Sequence, residues 1–151
     1  MVDQISIVRA TSEQLDAAAL LFASYRQFYG LADNQTESRK FIQERLEKQD
    51  SAIFIAYHQQ QACGFVQLYF SFSSLSISST IILNDLYIPV NHRQKGIATQ
   101  LMQYVKKFAH DGGYSGISLC TASDNHKARA LYEQAGYQID NQFVYYFLNL
   151  K

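Results

Sequence analysis

The chain has 151 residues, 48% of them apolar and 17% charged, values that exclude a disordered segment and suit a self-folding domain. At this length folding buries roughly two-thirds of the unfolded surface, enough for one core, so a single domain over residues 1–151 is expected. Lys and Arg total 13, as do Asp and Glu; no global field gathers nucleic acid or an acidic membrane, and any anion site must be local.

Met1-Val2-Asp3-Gln4 has no basic segment leading into an apolar one, and no apolar run approaches the ~20 residues of a membrane span. A cytoplasmic location is expected. Ile5 to Arg9 alternates as a half-buried strand does, and Thr11-Ser12-Glu13-Gln14 offers a capping box to open a helix. Leu15, Ala18, Ala19, Phe22, Tyr25, Phe28 and Tyr29 recur at helical spacing, with Gly30 placed to stop the segment. After the polar stretch Asp33 to Thr36, Phe41, Ile42, Arg45 and Leu46 suggest a second helix.

Ala52 to His58 and Ala62 to Phe70 read as a hairpin joined by Gln59-Gln60-Gln61, and the serine-rich residues 71–79 as a strand end and loop. Cys63, like Cys120 further on, sits in an apolar strand-like run, where a small buried hydrophobe is the expectation rather than a bridge. Thr80 to Ile88 forms another strand, ended by Pro89, which cannot donate to a ladder. Ile97, Leu101, Met102, Tyr104, Val105 and Phe108 make an apolar helical stripe that Gly112-Gly113 terminates. A strand at Gly116 to Ala122, a helix at Asn125 to Gln134 capped by Gly136, and closing strands at Tyr137 to Ile139 and Phe143 to Leu150 complete the chain. The order β-α-α-β-β-β-α-β-α-β-β implies an α/β (α+β) domain with a mixed, mostly antiparallel sheet of about seven strands and about four helices.

The strand-to-helix junction holds the basic turn Arg93-Gln94-Lys95-Gly96-Ile97-Ala98. The first N–H groups of a helix lack internal partners and sit at the positive end of a dipole worth about +0.5 charge, so a helix opening near Gly96 can hold a phosphate group. Gly96 and Ala98 allow close approach, and Arg93 and Lys95 add mobile positive charge. Taken alone the turn also suits a solvated junction. It is neither a Walker A loop nor a G-x-G-x-x-G fingerprint.

The strand Leu83 to Ile88 with this turn resembles motif A of the GNAT acetyltransferases. Thr121 to Tyr137 is similar to motif B of that superfamily, in which N-x-x-A-x-x-L-Y-E-x-x-G-[YF] recurs, here from Asn125 through Tyr132 and Gly136. The resemblance implies acetyl-CoA as co-substrate, a splayed strand pair, and pairing of the pantetheine arm with the backbone of Leu86, Tyr87 and Ile88. It implies a pyrophosphate resting on N–H groups from Arg93 through Thr99, with Asn125 bonding the pantetheine. Tyr132 matches the tyrosine that protonates the leaving thiolate, although the same residue would also serve as an aromatic packing group. No metal is implied, and the histidines have no spacing that suggests a zinc site.

Direct attack needs a neutral amine, and an alkylammonium with a pKa of about 10.4 has no lone pair. Asp85 is the first candidate to take the proton. Leu83-Asn84-Asp85-Leu86-Tyr87-Ile88 resembles the L-E-D-[LF]-x-V strand of the diamine and spermidine acetyltransferase branch, with Asn84 in place of a glutamate that helps hold the cationic amine. Asp85 could equally accept backbone hydrogen bonds from an adjoining loop. Tyr25 and Tyr29, with Asp33 and Asn34, follow where the family builds its acceptor pocket, and rings there could enclose an alkyl amine or simply pack. The implied acceptor is the primary amine of a small molecule or peptide; the competing readings are a protein lysine or N-terminal acetyltransferase and a non-catalytic acyl-CoA-binding module. Neither nucleic acid nor membrane is expected as partner. Phe143 to Leu148, apolar on both faces, suggests a homodimer through the C-terminal hairpin.

Overall fold

The alternation at the start of the chain forms β1 (Ile5–Arg9) in the computed structural model, which describes residues 4–151. The leader-free reading of Met1 to Asp3 lies outside the described residues. The capping box closes as expected: Glu13 N–H donates to Thr11 Oγ1 at 3.3 Å, and Thr11 N–H to Gln14 Oε1 at 2.8 Å. These bonds open a 3-10 turn (Ser12–Gln14) that runs into α1 (Leu15–Phe28). α2 (Gln35–Lys48) starts inside the stretch expected to be loop, because Asn34 Oδ1 accepts from Glu37 N–H at 3.1 Å and caps it.

β2 (Ser51–His58), β3 (Gln61–Ser73) and β4 (Ser78–Tyr87) continue the sheet antiparallel in chain order. The serine-rich residues divide between the ends of β3 and β4 and the turn joining them. α3 (Ile97–Asp111) then crosses over, and β5 (Ile117–Ser118) joins parallel to β4, giving the order β1-β2-β3-β4-β5. Successive residues of a strand face opposite ways. Phe54 therefore meets Tyr104 and Phe108 of α3 at ring distances of 5.1 and 5.0 Å, while Ile55 packs with Leu21 of α1 and Ile42 of α2. The sheet is covered on both faces, by α1 and α2 on one and by α3 on the other.

Residues up to Cys120 form one compact unit, and Thr121–Lys151 forms a second. The second contains α4 (His126–Gln134), stopped by Gly136 at a φ of +97° that favours glycine.

Two expectations change. The sheet has five strands among the described residues, not about seven, and Tyr137 to Ile139 and Phe143 to Leu150 form none. A strand requires a neighbour to take its N–H and C=O groups, and among the described residues no segment pairs with either. The expected strand at Gly116 to Ala122 shortens to Ile117–Ser118 for the same reason, which leaves Cys120 beyond the sheet and exposed while Cys63 is buried. No helix among the described residues is long and apolar enough to cross a membrane.

Candidate active site

The outer edge of β4 is only partly used. Ser115 N–H bonds the Ser79 carbonyl, Ile81 N–H bonds the Gly116 carbonyl, and the register with β5 covers Ile81 and Ile82 alone. From Leu83 to Tyr87 no strand neighbours β4 on that side among the described residues. The main chain of Leu86, Tyr87 and Ile88 on that edge leads into the turn that follows. Gly64 makes the junction tight: a Cβ there would stand 2.5 Å from Ile88 Cδ1, 3.3 Å from the Tyr87 carbonyl oxygen and 3.4 Å from Ile97 Cγ2. The end of β4 and the start of α3 are thereby held against β3.

Val90–His92 forms a 3-10 turn, after which Gln94 at φ +61° and Gly96 at φ +76° curl the chain into α3. The first backbone bond of the helix is Gln100 N–H to the Gly96 carbonyl, and no side chain caps its start. The N–H groups from Gln94 through Thr99 therefore have no backbone acceptor among the described residues, and they converge where the helix dipole is positive. Lys95 adds an exposed ammonium with a 3.4 Å contact to the Asn91 carbonyl. A pyrophosphate fits this donor set.

Arg93 does not match the mobile charge expected of it. Its Nε donates to the Ile88 carbonyl at 2.8 Å, and its guanidinium lies 4.8 Å from the Phe28 ring centre and 6.0 Å from that of Tyr87. Its own N–H is committed to the Val90 carbonyl at 3.3 Å. Arg93 clamps the end of β4 to α1. Its planar cation is more weakly hydrated than an ammonium and stacks on aromatic faces, which is why it rather than Lys95 takes this half-buried place.

On the α1 side of the same strand stands Asp85, 7% exposed. Asn84 is the extra residue of a bulge, since Gln67 opposes Asp85 while Leu68 opposes Leu83. The bulge leaves Asn84 exposed, with Nδ2 donating to Asp85 Oδ2 at 3.0 Å. Tyr25 of α1 also hydrogen-bonds the Asp85 carboxyl. Burial raises the Asp85 pKa above the usual carboxylate value, and the bonds from Asn84 and Tyr25 oppose that rise. The ring of Tyr25 packs edge-on against Tyr29 at 5.0 Å, Phe65 at 5.7 Å and Tyr87 at 5.9 Å. Asp85 thus receives side-chain bonds, not the loop backbone bonds that were its other expectation, and Tyr25, Tyr29, Asn84 and Asp85 come together at one place.

In the second unit Asn125 caps α4, its Oδ1 accepting from Ala128 N–H at 3.2 Å. Tyr132 lies on α4 with its ring 6.2 Å from that of Tyr137. Burial, aided by Tyr132, pushes the Tyr137 phenol up to about 12.

An open strand edge running into an uncapped, dipole-positive turn is the arrangement that motif A implied. The sequence pattern of the acetyltransferase (GNAT) family matches residues 18–137. The chain belongs to the GNAT family. It is similar to the uncharacterized N-acetyltransferase YhfO of Bacillus subtilis, with 40% identity over 146 residues, 97% of this chain and 98% of that one. A probable acetyltransferase of Haemophilus influenzae is 30% identical over 107 residues, 70% of this chain and 73% of its own. The crystal structure of a probable acetyltransferase superposes with a TM-score of 0.91 at 38% identity, covering 97% of this chain and 98% of the other.

As a GNAT protein the chain is an acyltransferase, and the family uses acetyl-CoA as co-substrate. Among the described residues no group of three or more His, Cys, Asp or Glu side chains is placed to hold a metal ion. Two residues near this site went unread in the sequence. Phe28 counted only as part of a helical stripe, yet it seats Arg93. Gln67 lies fully buried opposite Asp85; an amide between Val66 and Leu68 in an apolar strand was the available signal.

Proposed function

We propose that this GNAT protein transfers the acetyl group of acetyl-CoA by direct attack of a primary amine carried by a small molecule or peptide. The observation that carries the reading is the continuity of one strand with one turn. Among the described residues β4 has an edge without a strand partner beyond Ile82, the N–H groups from Gln94 through Thr99 follow it without backbone acceptors, and Asp85 occupies the same strand. The donor set suits a pyrophosphate, the strand edge at Leu86, Tyr87 and Ile88 suits an amide-bearing arm, and the Asn125 amide would bond that arm as motif B implies.

Acetyl-CoA, when bound, supplies the thioester carbonyl. An alkylammonium is neutral to only on the order of one part in a thousand near pH 7, so Asp85 accepts a proton from it and passes that proton to solvent. The amine nitrogen then forms the new N–C bond as the C–S bond breaks. Tyr132 gives its phenolic proton to the sulfur and recovers one from the nitrogen, so the ammonium loses two protons in all and the thiol leaves neutral. A carboxylate whose pKa is raised by burial is closer to working pH and a better base for this task. Tyr25, Tyr29 and Asn84 are proposed to line the acceptor side, where rings beside a carboxylate suit a cationic amine.

A thiol-release screen with acetyl-CoA over amines, amino acids, polyamines, aminoglycosides and lysine peptides tests this reading. Turnover of at least one amine is expected, with Tyr132→Phe much slower; an equally fast Tyr132→Phe at rate-limiting chemistry removes Tyr132 from its role. A homodimer is also proposed, supported by side chains from Phe143 to Leu148 that are 74% to 88% exposed and call for cover. A monomer in light scattering at tens of micromolar would rule it out.

A further inference from the structure

The strongest unexplained feature of the first unit is Gln67. Its side chain is 0% exposed, yet among the described residues neither Oε1 nor Nε2 has a hydrogen-bond partner. Buried amides are almost always satisfied, and leaving one unpaired is costly. Its position explains why an amide stands there. Gln67 and Asp85 are directly opposed across the β3–β4 ladder, and opposed residues project from the same face with Cβ atoms about 5 Å apart. That face is the one against α1, where Tyr25 meets both Asp85 and Phe65, the latter two residues before Gln67 on β3.

A carboxyl group that takes and releases a proton changes its hydrogen-bonding needs each time. Ionised, it only accepts; protonated, it must also donate. Tyr25 O–H can donate to the carboxylate or accept from the acid by rotating its hydrogen, and an amide offers both a donor nitrogen and an acceptor oxygen. No apolar or charged residue at position 67 could serve both states. We propose that Tyr25 and Gln67 are positioning residues that hold Asp85 in a buried proton-accepting unit on the acceptor side of β4, Gln67 turning its Nε2 to the carboxylate and its Oε1 to the acid. The inference rests on the reading of Asp85 as the group that takes the amine proton: as the acceptor N–H bond breaks, the Asp85 O–H bond forms, and Gln67 and Tyr25 receive the new O–H.

The other groups around Asp85 are Asn84 on its own strand, Tyr87 two residues further along β4, and Tyr69 two residues beyond Gln67 on β3. Burial raises the Tyr69 pKa, with Asp85 and Asp50 adding to the rise and Arg45 opposing it. Arg45 of α2 pairs with Asp50 at 3.3 Å. Among the described residues Asp85 makes no ion pair, and the side chains that hydrogen-bond it are the neutral Tyr25 and Asn84.

The test follows the Asp85 carboxyl directly, by carbon NMR titration of protein labelled at the aspartate side-chain carboxyl carbons, with the resonance identified by its loss in Asp85→Asn. Tyr25→Phe removes one donor and Gln67→Met another while keeping an unbranched side chain; because a hydrogen bond to the ionised carboxylate is stronger than one to the acid, each is expected to move the Asp85 midpoint upward by about one pH unit. The acid limb of kcat/KM for whichever amine the wild type acetylates moves by the same amount, and acetyl-CoA affinity measured by calorimetry stays within about twofold. Should Gln67→Met not fold, Gln67→Leu replaces it, and Tyr25→Phe retains the ring in either case. Midpoints that stay within about 0.2 unit of wild type in both variants overturn the proposal whatever the kinetics. Midpoints that move while the acid limb stays fixed uphold the unit and instead overturn Asp85 as the proton acceptor.

Discussion

The two sides of β4 are built from different materials. Toward α3 the strand edge and the turn present main-chain groups: the N–H groups from Gln94 through Thr99, and the β4 backbone beyond Ile82. Toward α1 the same strand presents side chains, with Asp85 bonded by Asn84 and Tyr25 and faced by Gln67. Backbone groups survive most substitutions, so the first side tolerates change wherever the chain path is kept. The second side depends on the identity of each residue, as the proposed acceptor site would require.

The largest effect that can break this contrast is expected at Asp85. Asp85→Asn lowers kcat/KM by roughly 10²- to 10⁴-fold with acetyl-CoA affinity unchanged in calorimetry; a matching loss of acetyl-CoA affinity would mean that the two sides are not separate. Its stability has the opposite sign. Because burial raises the folded pKa above the ordinary carboxylate value, the stability that Asp85 contributes is present at low pH and is lost as pH rises through the folded pKa. Asp85→Asn should therefore melt no lower than wild type at pH 7, and the fall in melting temperature across that window should disappear.

On the backbone side the sensitive position is Gly96, whose φ of +76° is costly for a β-branched residue. Gly96→Val is expected to weaken acetyl-CoA binding about tenfold, since a strain of about 1–2 kcal/mol must be relieved by moving the turn. Turnover at saturating acetyl-CoA should hardly change. A Gly96→Val protein that binds acetyl-CoA normally would show that the turn is not where the pyrophosphate rests.

Arg93 separates clamp from ligand. Arg93→Ala removes the bond to the Ile88 carbonyl and the stacking on Phe28, and a loss of about 1–2 kcal/mol in chemical denaturation is expected. Unchanged stability with sharply weaker acetyl-CoA binding would instead make Arg93 a phosphate ligand. The smallest effect belongs to Lys95, exposed and barely tethered. Lys95→Ala should weaken acetyl-CoA by only a few-fold at low salt, and the difference should vanish near ~1 M salt, where exposed charges are screened.

Periodicity and local stop signals suffice for most of the element order. Thr11 and Gln14 cap the first helix, Gly112 and Gly113 end the third, and Gly136 ends the fourth, because caps and glycine turns act within a few residues. The same locality explains the legible part of the site: the turn from Gln94 to Thr99 and the cap at Asn125 are each one stretch of chain. What stayed illegible depends on pairing. Phe143 to Leu150 has strand-forming composition, and whether it is a strand is decided by a neighbour that no residue within it specifies.

By itself, then, the sequence determined the helices, the caps that open the first and end the third and fourth, the strands from β1 to β4 and the motif residues of the family, all of which follow from interactions between near neighbours. Only the tertiary structure decided that Arg93 is a clamp, that a bulge turns Asn84 outward, and that Gln67 of one strand and Tyr25 of a helix meet at Asp85. Register and packing bring together residues 18 (Gln67 and Asp85), 42 (Tyr25 and Gln67) and 60 (Tyr25 and Asp85) positions apart, and no local pattern encodes that meeting.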